Sequence, residues 1–268
     1  MKKLFTLLAL TITFNMNAQW GYPGGNWAIQ AQNSTATGSY AVAMGNSTTA
    51  SGNYSTSMGY ETTATGSRST AMGSGSTASG NNSTAMGYFT TASGNKTTAM
   101  GANTTASDYG SLVIGQYNSS GSSATSATSF STSNTAFVIG NGADSSNKSD
   151  AFKVMFNGDT TVGGDITISS DARLKSNIVS LGATLSKLLL IDGKSYEKDG
   201  KQRIGVLAQE IQEVFPELVT EDGNEMLAVN YQGLVPVLIN ALKEQESKII
   251  NQQSQIDELK VLVNKLIN

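Results

Sequence analysis

Residues 168–177, ISSDARLKSN, place three serines, an aspartate, an arginine and a lysine within ten positions. Ser170 and Lys175 are the residue types of a nucleophile and its general base. The chain has no histidine and no cysteine. That excludes a Ser-His-Asp triad, a thiolate nucleophile, a disulfide framework and the usual zinc sites. A hydrolytic role therefore has to use a serine with a lysine, or carboxylates. A free lysine, with a pKa of ~10.4, is protonated at neutral pH, and bringing it near 7 costs roughly 4 kcal/mol. Burial in a low-dielectric interface supplies that much. Asp171 and Arg173 are placed to orient the segment, although a carboxylate beside Lys175 would favour its charged form. The alternative is structural, with Ser170 and Lys175 serving a helix cap or a polar turn. Spacing alone leaves both open.

The rest of the chain shows what could position such a pair. The net charge of −3 over 268 residues gives no electrostatic case for nucleic acid or an anionic membrane as partner. No cofactor and no metal is expected. The opening MKKLFTLLALTITFNMNA has a basic start, an apolar run and a small residue at Ala18, so residues 1–18 read as a secretory leader. The apolar run is too short to span a bilayer, and no later stretch could do so. The mature chain is expected to begin at Gln19 and to be secreted or held at the cell surface.

Charge then divides the chain. Residues 20–168 hold 10 charged side chains and residues 169–268 hold 25. The charge-poor zone repeats every fourteen residues from Ala41 to Gly110: AVAMGNSTTASGNY, STSMGYETTATGSR, STAMGSGSTASGNN, STAMGYFTTASGNK, TTAMGANTTASDYG. Low-complexity disorder has no reason to keep glycine, methionine and alanine in such register, so this is a solenoid. Each coil is expected to hold two short strands ended by glycine, with one Met and one Ala pointing inward. That core is thin. A single chain would expose an apolar edge, which side-by-side association of identical chains would cover.

The repeat STAMGYFTTASGN resembles the head repeat of trimeric autotransporter adhesins. The resemblance covers about residues 30–118 and implies a left-handed parallel β-roll in which three chains pack together. A membrane β-barrel of the kind such adhesins carry is not expected here. An adhesive head, with a surface or glycan ligand, and a plain spacer are both compatible with the repeats. An ordered-water surface fits less well, because Tyr60, Tyr88 and Phe89 interrupt the threonine rows. The turns lack the aspartates of calcium-binding repeats. The head is taken as 19–118. Residues 119–169 read as a flexible connector (119–133) followed by a short β-stem with Asn-Gly and Gly-Gly turns.

The last hundred residues have the texture of a globular domain. IGVLAQEIQEVFPELV predicts a strand and a short helix with Ile211, Val214 and Phe215 on its apolar side, stopped at Pro216. From 235 to 268 a heptad pattern runs with Val235, Leu242, Ile249, Ile256 and Val263 at position a. Leu238, Gln245, Gln252, Leu259 and Leu266 take position d. The seam by itself does not fix the number of strands.

Four blocks, SDARLKSNI, LLLIDGKSYE, IGVLAQEIQEVFPELV and LAVNYQGLVPVLINALKEQ, resemble the C-terminal intramolecular chaperone domain of phage endosialidases and tail fibres, which is classed as a peptidase family (S74). The resemblance implies a domain at 170–234 that trimerises, templates the fibre before it and cuts itself off. It implies Ser170 as nucleophile, Lys175 as base and Ser169–Ser170 as the scissile bond. Asn177 and Ile178 also match and are assigned to folding, and Gln209, Glu210 and Tyr231 match and are assigned to packing or to clamping the preceding fibre rather than to bond breaking. The expected fold is a mainly β N-terminal part, a trimeric β-roll with a short β-stem, joined to an α+β chaperone domain that ends in a trimeric coiled coil. The expected protein is an exported homotrimeric fibre with a self-cleaving C-terminal domain. A non-cleaving surface protein that keeps the domain as a stalk is the alternative.

Overall fold

A computed structural model describes residues 27–31 and 33–267, so the expected leader at 1–18 lies outside the described residues. The chain divides into two compact units that meet at Ile168 and Ser169 in the sequence.

The first unit is a β-solenoid. Each coil has a five-residue strand, such as Thr56–Tyr60, Thr70–Ser74 or Thr84–Tyr88, and a two-residue strand, such as Thr63–Ala64 or Thr77–Ala78. The long strands join a ten-stranded sheet and the short ones a six-stranded sheet. Pairing is parallel and in register, Met58 with Met72 and Met72 with Met86. Fourteen-residue spacing in the sequence thus becomes one strand spacing in space.

What lies between the sheets differs from the expectation. Ala64, Ala71, Ala78, Ala85, Ala92, Ala99 and Ala106 are fully buried and form one cluster with Val113 and Val138. Two alanines per coil point inward, one from each sheet. The methionines point outward, because strand side chains alternate faces and the residue before each Met already faces in. Met86 is 38 % exposed. Within the repeats the inner space is narrow and holds small groups, with buried Thr48, Thr62, Ser76, Thr90 and Thr104 beside the alanines, and valine enters only after the last repeat, at Val113 and Val138.

The glycines answer to coil spacing more than to the turns. A Cβ on Gly59 (φ 122°) would lie 2.0 Å from the Gly73 carbonyl oxygen. The second glycine, Gly52, has an ordinary φ, but its Cβ would lie 2.0 Å from the Gly66 oxygen. Positive φ also recurs two residues after each glycine, at Tyr54 and Glu61 for example.

Two substitutions in the repeat end it. Asp108 stands where Gly94 stands one coil earlier, and its buried carboxylate accepts the backbone N–H groups of Thr125, Ser126 and Thr135. Asn118 follows the threonine column. Its amide oxygen accepts Thr105 N–H at 2.8 Å and its nitrogen donates to Thr105 O at 2.9 Å, closing the edge of the short-strand sheet. Residues 119–133, expected to be a flexible connector, are therefore tied down. Asp150 adds to this by accepting the N–H groups of Ser119 and Ser120, both at 2.9 Å. Strand Thr135–Asn141 then pairs in parallel with Leu112–Gln116, and Asp150–Met155 and Thr160–Val162 extend the same sheet in antiparallel fashion.

The second unit is α+β. Its core is Ile211, Phe215 and Val237, with Leu188, Ile191, Val206, Leu218 and Val229 packed on them. A hairpin of Lys194–Lys198 with Lys201–Gly205 turns at Asp199 and Gly200, both with positive φ. An Asp-Gly pair suits that two-residue turn, and it is the sequence signal for this hairpin. Helix Ala208–Val214 stops before Pro216, as the sequence predicts. The last helix, Leu234–Ile267, runs 34 residues, or ~50 Å at 1.5 Å per residue. Val237 and Ala241 on it are buried against the unit's own core, while Val235, Leu238, Leu242, Ile249, Ile256, Leu259, Val263 and Leu266 are exposed. The a and d rows are thus left free along the whole helix. Among the described residues no helix is long and apolar enough to cross a membrane.

Candidate functional site

The segment around Ser170 is built on a single 3-10 turn, Ala172–Leu174. Asp171 is its N-cap, accepting the Arg173 N–H at 2.8 Å. The Arg173 side chain closes back on the same carboxylate, with Nη2 to Oδ2 at 2.7 Å and Nε to Oδ1 at 3.0 Å. This guanidinium, with the capping N–H behind it, holds the Asp171 carboxyl below the usual carboxylate range. The cap role is therefore filled by Asp171, which leaves Ser170 free of it. Both oxygens of Asp171 are engaged by Arg173, so its charge is balanced within the turn.

The turn also reverses the chain enough for residue 175 to reach residue 170. Lys175 Nζ donates to Ser170 Oγ at 2.7 Å and to the Ser170 carbonyl oxygen at 3.1 Å. These two side chains are at the separation that proton transfer from a serine hydroxyl to an amine requires. Ser169, on the acyl side of the bond between the two serines, is exposed, as are all residues from 161 to 183. That stretch includes large apolar side chains. Leu174, Ile178, Val179 and Leu181 are all exposed around the pair.

Of the other residues singled out in this unit, Glu210 and Tyr231 hold its packing, while Ile178 is exposed. Glu210 meets Lys194 at 3.2 Å and accepts the Asp192 N–H at 3.2 Å, fixing the entry to the hairpin. Tyr231 Oη accepts the Val206 N–H at 3.2 Å. A Cβ on Gly205 would lie 2.7 Å from that oxygen, so the tyrosine reaches in only over glycine. Gln209 lies in an open groove with Tyr196, Leu207, Met226 and Tyr231. Asn177 adopts a left-handed conformation, φ 52°, two residues after Lys175, which asparagine tolerates better than most residues.

Sequence reasoning missed one anchoring pair. Glu244, on the long helix, accepts the N–H groups of Thr184 and Leu185 and so caps the short helix Leu185–Leu188, while Thr184 Oγ1 donates to Val237 O at 2.9 Å. No spacing rule links residues sixty positions apart. Among the described residues no group of three or more acidic, histidine or cysteine side chains is placed to hold a metal ion.

Comparison with known proteins adds to this geometry. Residues 170–220 match the family described as chaperone of endosialidase. Residues 32–62, 64–90 and 92–118 match the YadA head domain repeat. Over 103 residues the chain is 34 % identical to the long tail fiber protein Gp37 of Enterobacteria phage K3, and equally to that of Enterobacteria phage T2. It is 33 % identical over 92 residues to the same protein of Escherichia phage AR1. These alignments cover 30–34 % of this chain and 8 % of each fiber protein, so the chain spans only a small part of the relatives' length. Adhesin-type head repeats and an endosialidase-type chaperone domain thus occur in one polypeptide.

Proposed function

We propose that this chain is an exported homotrimeric fibre, and that its C-terminal domain assembles the trimer and then cleaves itself at Ser169–Ser170. The single observation that carries the cleavage reading is the 2.7 Å contact between Lys175 Nζ and Ser170 Oγ inside the chaperone-like segment. Three outward apolar groups support the trimer, the first of them half-buried except at Met86. The methionine column lies on the outer face of the solenoid, the a and d rows run free along Leu234–Ile267, and Leu174, Ile178 and Val179 stand around the dyad. Association of three chains buries all three. Each large apolar side chain so buried contributes roughly 1.5–3 kcal/mol.

The division of labour follows from topology. Residues 19–118 form the head, 119–169 the link and stem, 170–234 the chaperone and 235–268 the coiled coil. Parallel β-pairing among non-local segments is slow to register. A coiled coil that forms first raises the effective concentration of the three stems. Tail fibres and adhesins act outside the cell or on a virion surface, and the same place is assigned to this protein.

The chemistry uses only this chain's atoms and water. Lys175, as the neutral amine, takes the proton of Ser170 Oγ, which attacks the Ser169 carbonyl carbon through a five-membered ring. The C–N bond breaks, Lys175 returns the proton to the leaving Ser170 amine, and an ester joins Ser169 to Ser170 Oγ. Water then hydrolyses the ester to a Ser169 carboxylate and a free hydroxyl. An ammonium cannot start this sequence, so the step waits until assembly removes water from around Lys175. Folding and cleavage are thereby coupled.

Intact-mass spectrometry on freshly folded protein, beside Ser170→Ala and Lys175→Ala, tests the reading. A 99-residue fragment beginning at Ser170, absent in both variants, is expected. Full-length chain in all three samples, still trimeric, would remove the protease and leave the domain as a permanent stalk.

A further inference from the structure

The two sheets of the solenoid and the turns between them divide the side chains by type. Between residues 41 and 107 the charged side chains are Glu61, Arg68 and Lys96, and all three sit at positive-φ turn positions. Tyr60 and Tyr88 end the long strands Thr56–Tyr60 and Thr84–Tyr88. Phe89 lies in the turn that follows, edge-on to Tyr88 at 4.6 Å. The aromatic side chains expected to interrupt the threonine rows thus belong to the other sheet and to a turn.

The short-strand sheet keeps its outer face free of both. Its strands pair in parallel and in register, Thr35 with Thr49, Thr49 with Thr63, Thr63 with Thr77, Thr77 with Thr91 and Thr91 with Thr105. Ala50, Ala64 and Ala78, which follow these threonines, are fully buried. Alternation therefore turns each threonine, and the residue two further on, to the outside. Ser51, Thr65 and Ser79 in that second column are exposed, and Thr49, Thr63, Thr77 and Thr91 partly so. Every residue in the two columns carries a hydroxyl and none carries a charge. The inward hydroxyls satisfy one another, as where Thr48 Oγ1 donates to Ser34 Oγ and Thr90 Oγ1 to Ser76 Oγ, both at 2.9 Å. Among the described residues the hydroxyls of Thr49, Thr63, Thr77 and Thr91 have no such partner within the chain. The open array ends where Ser93 Oγ meets Ser107 Oγ at 2.9 Å and Asn118 closes the sheet beyond Thr105.

We infer that this face binds ice. Its hydroxyls repeat every ~4.8 Å from coil to coil and every ~6.6 Å between the two columns along a strand. Both repeats lie close to the oxygen repeats of a prism face of hexagonal ice, along its a and c axes. A β-branched side chain is stiff about χ1, so the threonine methyls and hydroxyls repeat as the backbone does. Methyl groups restrict the orientation of the water beside them. A threonine hydroxyl both donates and accepts, so it anchors that water from either side. A strongly hydrated ammonium would hold a shell that does not match the crystal, and both columns exclude one. The methionine column assigned to contact between chains stands on the long-strand sheet, so the two surfaces do not compete.

The test sets full-length protein against a growing ice crystal. The protein is expected to facet the crystal, to open a gap between melting and freezing points, and to be retained in slowly frozen ice that rejects albumin. Thr63→Tyr and Thr77→Lys each place a misfitting side chain in the middle of the array, and each should shrink the gap tenfold or more. Tyrosine suits an exposed strand position, so the melting temperature of Thr63→Tyr should hold. Light scattering and thermal melts accompany both variants, and if one fails to fold the other decides. Arg68→Gln, at a turn, should leave the gap unchanged. A gap no larger than albumin gives overturns the proposal, and so does a gap that survives both substitutions. Dissociation of the oligomer in Thr63→Tyr would do the same, because the threonine face would then be a contact between chains. None of these outcomes depends on whether the Ser169–Ser170 bond is cut, which a denaturing gel of the same samples reads separately.

Discussion

Lys175 reaches back across the Ala172–Leu174 turn to place its ammonium 2.7 Å from the hydroxyl of Ser170. A guanidinium keeps that hydrogen bond and cannot give up a proton in the working range. Lys175→Arg is therefore expected to assemble normally and leave the Ser169–Ser170 bond intact on a denaturing gel. Cleavage in Lys175→Arg at the rate of the parent would show that residue 175 is not the base.

Asp108 makes a second prediction. Its carboxylate is the common acceptor for the N–H groups of Thr125, Ser126 and Thr135, and it is almost fully buried. Truncation leaves those donors without their acceptor, at about 1–3 kcal/mol for each that water does not reach. Asp108→Ala should lower stability by about 2–4 kcal/mol and raise amide exchange selectively across 119–135. Uniform exchange along the solenoid would show that the loop is held by something else.

Gly73 and Gly158 form a matched pair. Both have positive φ, 107° and 87°, yet a Cβ on Gly73 meets the Gly87 oxygen at 2.0 Å while one on Gly158 meets nothing within 4 Å. Gly158→Ala should cost about 1 kcal/mol, the backbone penalty alone. Gly73→Ala should cost more than ~2 kcal/mol, since it also forces two coils apart. Equal losses in thermal melts would mean that coil spacing is not what fixes these glycines.

Glu244 gives a pH dependence. The N–H groups of Thr184 and then Leu185 hold its carboxyl below the ordinary glutamate range. A depressed folded-state pKa contributes stability above the unfolded value and loses it as pH falls through the folded value. The amide resonances of Thr184 and Leu185 should titrate together with a midpoint below ~4.3. In Glu244→Gln that titration should vanish. A midpoint at or above the ordinary glutamate value would show that the cap does not form in solution.

Much of this molecule is written in one dimension. The fourteen-residue register of glycine, methionine and alanine set the solenoid, because in-register parallel coils convert a sequence period directly into a column. The SDARLKSN block singled out Ser170 and Lys175, which lie 2.7 Å apart, and heptads from Val235 to Leu266 marked the long helix. These are local or periodic signals, and local geometry suffices to realise them.

Other features depended on distance in space. Whether Met or Ala fills the solenoid turned on which face of the strand looks inward, and the narrow gap between the sheets takes small side chains, alanine with serine and threonine. Residues 119–133 looked like a loose polar connector, yet carboxylates at 108 and 150 organise them, and only folding brings those acceptors to the loop. Glu244 and Thr184 are sixty residues apart and meet because the long helix packs on its own domain. Asp171 rather than Ser170 became the cap, since its side chain alone reaches the Arg173 amide. The sequence by itself determined the repeating backbone and the helical seam, which need only neighbours one turn or one coil away. The tertiary structure decided which polar groups meet, because a hydrogen bond between distant residues exists only once the chain between them is folded.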